Sequence, residues 1–593
     1  MKKQKSITMK TEWNFSLFYK NEKDLQIEKD INAFSQEVSK FEMKYKNDLK
    51  YLSDSESLLS ACDDYEKLIA HIGCTKPRMY FYFLCDKFSD NKKFQARMVE
   101  IESVFDKLMN KIVFFGLNLA KISVDKQKQF LSDKKLSKYK YFLENIFENA
   151  KYNLSEAEEK IVNLFNQPAR EMWIRGVEKA LNQKEIVFKG KKMPITQGFS
   201  TYYSLPKKDR RALWDLLMEK MRELSDFAEA EMNALMYKKK IEDELRGFEK
   251  PYSSTITHYQ NEEKTVEGLI SVVTKNFAVA HRFYKIKAKL LKEKSLHYAD
   301  RSAQIGETST KFLFVDAVSI LKNAFGRFGQ KYSAILDRYL IEGHIDVFSK
   351  RGKRGGAYCW GSYATPTFVL LNHANNFNSV MTFGHEMGHA FHSESSKSQP
   401  RIYTDYTISV AEVASTFFEN LVFEEAFSKL SDKEKVIAMH DRLSGKIATV
   451  FRQIACFNFE NEIHSLQRKD GQVSKEDMAN LMNKHMASYL GPVFKLKESD
   501  GYFFVNWIHL RNHFYVYAYA FGELISDALY FEYKKNPEFK VKVEEFLSAG
   551  GSKKPEDIFV SIGIDIRDPK FFEKGIQKIK EDIKEFEQLV KIK

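Results

Sequence analysis

Helix breakers are scarce in this chain: 11 prolines and 26 glycines are spread over 593 residues. Proline removes a backbone donor and clashes with the preceding turn, so a chain that avoids it can run in long helices. Lysine, glutamate, leucine and phenylalanine recur at helical rather than alternating spacing through most of the length. Hydrophobic residues make up 43% and aromatics 14%, enough for a large core. The length exceeds one ordinary domain. The expected fold class is therefore mainly α, as several domains or one large multi-lobed body.

Within that helical pattern, residues 385–389 read His385-Glu386-Met387-Gly388-His389. Two histidines four apart on a helix project from one face, about one turn from each other. Both imidazoles can then bind one tetrahedral zinc and leave a fourth position open for a water. Glu386 sits beside that position, placed to take the water's proton as it attacks a peptide carbonyl. This helix is expected to begin at Asn378 or Thr382 and to end near Ser395–Ser398, before Pro400.

A third ligand must come from elsewhere. Glu394 lies on the same helix, five residues past His389, and points away from the ligand face; Asp405 falls in a connecting loop. Glu412 opens a second helical pattern, Val410–Asn420, whose packing across the first would bring one carboxylate to the metal. The expected set is one zinc per chain on His385, His389 and Glu412. Glu419, two turns further along, is either a hydrogen-bond partner for a ligand histidine or a solvated acid. His392, three residues past His389, is either a packed histidine or a neighbour of the ligands. A metzincin would need Gly at 392 and His at 395, where this chain has His392 and Ser395.

The one convincing β-rich stretch, 345–372, immediately precedes the zinc helix. Ile345–Phe348, Lys353–Gly361 and Phe368–Asn372 are short apolar and aromatic runs broken by glycines. Its segment Gly356, Ala357, Tyr358 and Cys359 is a candidate open edge for an extended peptide, whose backbone can add to a sheet regardless of side chains. An ordinary structural hairpin is the alternative. Upstream, residues 20–190 are charged and amphipathic, and Gln183–Gln197 reads as a hairpin or linker. The chain is therefore divided into an N-terminal helical domain, 1–195, and a catalytic domain, 196–593.

The net charge of +13 with a pI near 9.0 raises the question of nucleic acid. Lys/Arg and Asp/Glu are interspersed (94 against 81), with no basic tail or aromatic-interleaved stripe, so nucleic-acid binding is not expected. Five cysteines without C-x-x-C pairing argue against a disulfide framework and fit a reducing compartment. Lys2, Lys3 and Lys5 are followed by no apolar segment before Glu12, and no apolar run reaches the roughly 18 residues a membrane span needs. The expectation is a cytoplasmic protein without membrane partners, as a monomer or small homo-oligomer.

The run His385–Ser393, followed by Glu412-Val413-Ala414-Ser415-Thr416, resembles the oligoendopeptidase F family, relatives of thimet oligopeptidase. Trp13-Asn14-Phe15-Ser16-Leu17-Phe18-Tyr19 is similar to that family's N-terminal signature, and Ile345–Phe348 with Lys353–Gly361 to its pre-catalytic strands. Trp507-Ile508-His509 with Phe514–Ala520, and Leu547–Ser552 with Pro555, are similar to its C-terminal segments, so the resemblance spans nearly the whole chain.

The resemblance implies an elongated helical body split by a deep channel, with zinc at the floor and short, unfolded peptides as substrates. It also implies His509 as a hydrogen-bond donor to the transition state. One or two of Tyr515, Tyr517 and Tyr519 would stabilise the oxyanion, Tyr515 first by its distance from His509, then Tyr519. Relatives place a glycine-rich loop between the histidine and the tyrosines; here Arg511-Asn512-His513 occupies part of that interval. His513 is the rival to His509, and aromatic packing on a buried helix is the alternative for the tyrosines.

Internal cleavage of oligopeptides is thus the expected activity. An exopeptidase would need a cationic pocket for the substrate C-terminus, with Arg351, Lys353, Arg354 and Arg511 as candidates. A peptide-binding protein without catalysis is the reading from another class.

Overall fold

The structure is a computed structural model that describes residues 9–591, and helices dominate it. Helix Lys92–Ala120 shows why these sequences fold so. Asn91 takes an extended conformation and its side chain accepts from the Lys93 and Phe94 amides, capping the first turn. Ile101, Phe105, Leu108, Ile112, Phe115 and Leu119, alternately four and three apart, are its buried stripe.

Buried side chains form two separate clusters. One gathers residues between Trp13 and Phe147 together with Phe368 and Leu370; the other runs from Ile186 to Phe586. The Gln183–Gln197 stretch contains an antiparallel hairpin, β1 (Glu185–Phe188) and β2 (Lys191–Pro194).

A three-stranded sheet joins the N-terminal cluster to the second half of the chain. Its strands are β3 (Ile345–Asp346), β4 (Tyr358–Ser362) and β5 (Thr365–Leu370), in the order β3-β5-β4. β3 is parallel to β5, and β4 is antiparallel to it with Cys359 opposite Val369. The expected strand over 353–361 is shorter than its sequence pattern: 353–357 turns instead, and Gly356 takes φ +79°, where a side chain is disfavoured.

The N-terminal segment is stitched to this sheet. Trp13 Nε1 donates to the Val369 carbonyl at 2.9 Å, and its ring stacks on Phe368 at 5.3 Å. Asp346, fully buried, takes ion pairs from Lys87 and Lys353, each at 2.8 Å. Two lysines against one carboxylate compensate the buried charge that either partner alone would leave.

Four helices carry the site, α1 (Phe377–Ser396), α2 (Ile408–Phe427), α3 (Asp432–Ile447) and α5 (Tyr517–Lys535), and α4 (Gln453–Asp470) packs against α5. α1 begins earlier than the sequence pattern implies, because Asn376 is extended and its side chain accepts from the Ser379 amide at 2.9 Å. α1 packs on α2, and α2 on α5, at very short range. A Cβ on Gly388 would lie 2.6 Å from Ser415 Cα, and one on Gly522 would lie 2.6 Å from Glu412 Cβ. Glycine at both positions is what lets three helices close around one point. Among the described residues, no helix is long and apolar enough to cross a membrane.

Candidate active site

α1 presents His385 and His389 one turn apart, their rings 5.0 Å apart and nearly perpendicular. α2 brings Glu412 across. Its Oε2 lies 3.4 Å from His385 Nε2 and 3.9 Å from His389 Nε2. Donors on one tetrahedral zinc, each about 2.0–2.2 Å from the ion, stand about 3.3–3.6 Å apart. One ligand atom from each of the three residues falls within 4.8 Å of the others, so the two nitrogens and one oxygen fit a zinc ion with little closure. Glu419 Oε2 lies 3.0 Å from His385 Nδ1, the ring nitrogen that faces away from Glu412. Such a carboxylate fixes the imidazole's tautomer and orientation.

Glu386 is almost fully buried, yet its Oε2 has no hydrogen-bond partner. Burial pushes its carboxyl up to about 7; a charge on His385 works against this, and Glu412 and Glu419 reinforce it. Burial pulls His389 down to about 4, with His385 adding to the effect and Glu412 opposing it. Glu412 is raised by burial, but hydrogen bonding to His385, the His389 and His385 charges and Ser415 hold it at about 2. The arrangement thus offers an ionised carboxylate and a neutral imidazole to a cation, next to a carboxyl that can gain or lose a proton near neutral pH.

Cavities flank the ligand set. One, of about 570 Å³, is lined by Ala357, His385, Glu386, Glu412, Arg442 and Tyr519 among others. Another, of about 280 Å³, touches His389 together with Cys359, Trp360 and Tyr406. β4 is the outer strand of its sheet, so its far edge has no strand partner among the described residues.

The four candidate edge residues are placed differently. Ala357 and Cys359 line the two cavities. Gly356 lies in the turn before β4, where its carbonyl accepts from Asn372 Nδ2 at 2.7 Å. Tyr358 packs toward the N-terminal cluster and donates to Asp86 at 2.7 Å.

From α5 and the segment before it come the remaining candidates. His509 Nδ1 and the Tyr515 hydroxyl are hydrogen-bonded, and the Tyr515 and Tyr519 hydroxyls are 3.4 Å apart. Burial, with Arg452 adding to it, lowers His509 to about 4, so the ring is neutral. Tyr519 lines the cavity that holds His385, Glu386 and Glu412, and also a neighbouring cleft that it shares with Tyr515. Tyr517 is turned away, buried and donating to Asn261 at 2.9 Å. His513 lines the cleft beside Tyr515 and Tyr519, but its ring packs toward α4, 5.1 Å from that of His464. His392 is a packed histidine, stacked on Tyr406 at 3.6 Å.

Arg511 is buried on Glu231 at 2.6 Å; Lys353 is committed to Asp346, and Arg354 to Asp86. Arg511 and Lys353 are buried in these pairs and not free to receive a substrate carboxylate, whereas Arg354 is half-exposed. Two cations line the site that no spacing in the sequence marks: Lys446, which is paired with Asp527, and Arg442. Arg442 donates to Asn420 Oδ1 at 2.6 Å and lies 4.1 Å over the Phe423 ring.

The sequence profile of peptidase family M3 matches residues 202–578, and that of oligopeptidase F matches 118–175. The chain is 25% identical over 562 residues to oligopeptidase PepF of Bacillus subtilis, covering 92% of this chain and 83% of the relative. A solved chain from Chlamydophila abortus superposes with a TM-score of 0.84 at 22% identity, over 98% of both chains. Oligoendopeptidase-F from Enterococcus faecium superposes with a TM-score of 0.72 at 19% identity, over 96% of this chain and 99% of that one. At these identities the superpositions establish the fold.

Proposed function

This chain belongs to peptidase family M3 and is a metalloendopeptidase; we propose that His385, His389 and Glu412 hold one zinc ion and that short, unfolded peptides are its substrates. The observation that carries this reading is the set of three donors at zinc-compatible separations, beside a buried carboxylate oxygen with no partner of its own. A zinc ion bound there supplies Lewis-acid polarisation of the scissile carbonyl and makes a water easier to deprotonate.

Glu386 takes a proton from the attacking water as its oxygen bonds to the carbonyl carbon. The same carboxyl then gives that proton to the leaving nitrogen as the C–N bond breaks. A carboxyl near pKa 7 is matched to both transfers. Tyr519, with Tyr515 behind it, donates to the carbonyl oxygen as negative charge develops there. With its proton on Nδ1, the neutral His509 ring would donate to the Tyr515 oxygen and so leave the tyrosine proton free to point outward. The unpaired edge of β4, with Ala357 and Cys359 facing the cavities, takes the substrate backbone as an added strand.

One observation favours a second reading. Arg442 lines the same cavity without a carboxylate partner among the described residues, so it can receive a substrate's C-terminal carboxylate. Peptides of roughly 5 to 20 residues, each paired with its C-terminal amide, separate the two by chromatography and mass spectrometry. Cuts at the same internal bonds in both partners support the endopeptidase; cuts that occur only near a free C-terminus support the second reading. The five cysteines are all free thiols, which supports action in the reducing cytoplasm.

A further inference from the structure

Glu460 and His464 lie four residues apart on α4, hence on one face, and are each 1% exposed. His513 reaches them from the segment before α5. One ligand atom from each of the three falls within 4.8 Å of the others. Glu460 Oε2, His464 Nδ1 and His513 Nδ1 are all buried without a hydrogen-bond partner among the described residues. Glu460 is held in place by its other oxygen, which accepts from the Phe514 amide at 2.9 Å. The two imidazole rings meet edge to face, 5.1 Å apart.

We propose that Glu460, His464 and His513 form a second metal site for a divalent ion of the zinc class, separate from the His385, His389 and Glu412 site. The donor set repeats the two nitrogens and one carboxylate oxygen of the first site, the composition that suits zinc. Each of the three side chains keeps one buried polar atom that no group among the described residues satisfies, and a shared cation would satisfy them.

Two basic side chains near the imidazoles, Lys239 and Arg468, are both paired with Asp243, which offsets part of their charge.

Access exists as well, since His513 lines the cleft of about 870 Å³ that Tyr515 and Tyr519 share. A bound ion would tie α4 to a segment where His513 and Phe514 both hold positive φ, 23° and 61°. Those are conformations that non-glycine residues keep only when held from outside.

The test is zinc stoichiometry by plasma mass spectrometry on the full chain, after equilibration with excess Zn²⁺ and desalting. The proposal predicts two zinc ions per chain in the wild type. It predicts one in His385→Ala/His389→Ala and one in Glu460→Gln/His513→Ala. A wild type that never exceeds one zinc overturns it, as does a second zinc that persists in Glu460→Gln/His513→Ala. Should that variant fail to fold, anomalous diffraction at the zinc edge from wild-type crystals decides. A peak about 2.0–2.2 Å from the three side chains is expected, and a map with no peak there refutes the site.

Discussion

Replacing Gly388 by alanine tests whether close helix packing sets the metal geometry. The new Cβ would lie 2.6 Å from Ser415 Cα, 2.9 Å from the Ala414 oxygen and 3.1 Å from the Ser415 oxygen. All three are backbone atoms, so no side-chain rotation relieves the clash. Ordinary contact begins at 3.4 Å, so α1 and α2 must part by about 0.8 Å at this point, an overpacking that costs about 1–3 kcal/mol. Gly388 adjoins His389, and Ser415 is three residues from Glu412. A displacement of that size would stretch the present 3.4 and 3.9 Å donor separations to about 4.2 and 4.7 Å, beyond the roughly 3.3–3.6 Å a zinc ion spans.

The expected result is zinc affinity at least about tenfold weaker, near 1.4 kcal/mol, read by competition with a fluorescent chelator. A lower melting temperature without added zinc should accompany it. Gly116→Ala is the control: nothing lies within 4 Å of its Cβ position in a helix interior, so it should stabilise the fold by about 0.5–1 kcal/mol. Gly388→Ala with wild-type zinc affinity and an unchanged melting temperature would refute the reasoning.

Tyr519→Phe should lower kcat by about 10²–10³ with little change in KM if its hydroxyl meets the oxyanion; an equal loss in KM alone would assign it to ground-state binding. Lys446 is buried against Asp527 and Glu523, so Asp527→Asn should cost about 3–5 kcal/mol in urea unfolding, and a loss below about 1 kcal/mol would contradict that. Glu434 is held at about 2 by the Ser431 hydroxyl and the Thr310 amide, against the opposing effect of burial. Its folded pKa lies below the unfolded value of roughly 4.3, so its contribution is present above that pH and is lost as pH falls toward 2. Melting curves of Glu434→Gln should therefore show a shallower loss of stability across that acid window than the wild type.

Much of the site was legible because its chemistry is local. The i, i+4 histidines and intervening glutamate declare their helix and shared face, and Glu412 is the acid that opens the next helix. What the sequence hid depends on long-range contact. Gly388 and Gly522 look like ordinary glycines until their neighbours at 2.6 Å are seen. No motif or spacing singles out Lys446 or Arg442, yet both line the cavity, Lys446 buried on Asp527. His513 was legible only as a rival to His509, because its partners Glu460 and His464 lie on a helix that ends more than 40 residues earlier in the chain. The short β4 likewise follows from a turn that a glycine-rich run could have continued as strand.

The central claim is that this zinc site, with Glu386 moving the proton, cuts peptides internally. Mass spectrometry of a mixed peptide set should compare the zinc-loaded wild type, the wild type with a chelator, and zinc-loaded Glu386→Gln. The account predicts internal cuts in the first sample and almost none in the other two, with Glu386→Gln folded and retaining its zinc. Undiminished cleavage by Glu386→Gln, or intact peptides from folded, zinc-loaded wild type, would contradict it.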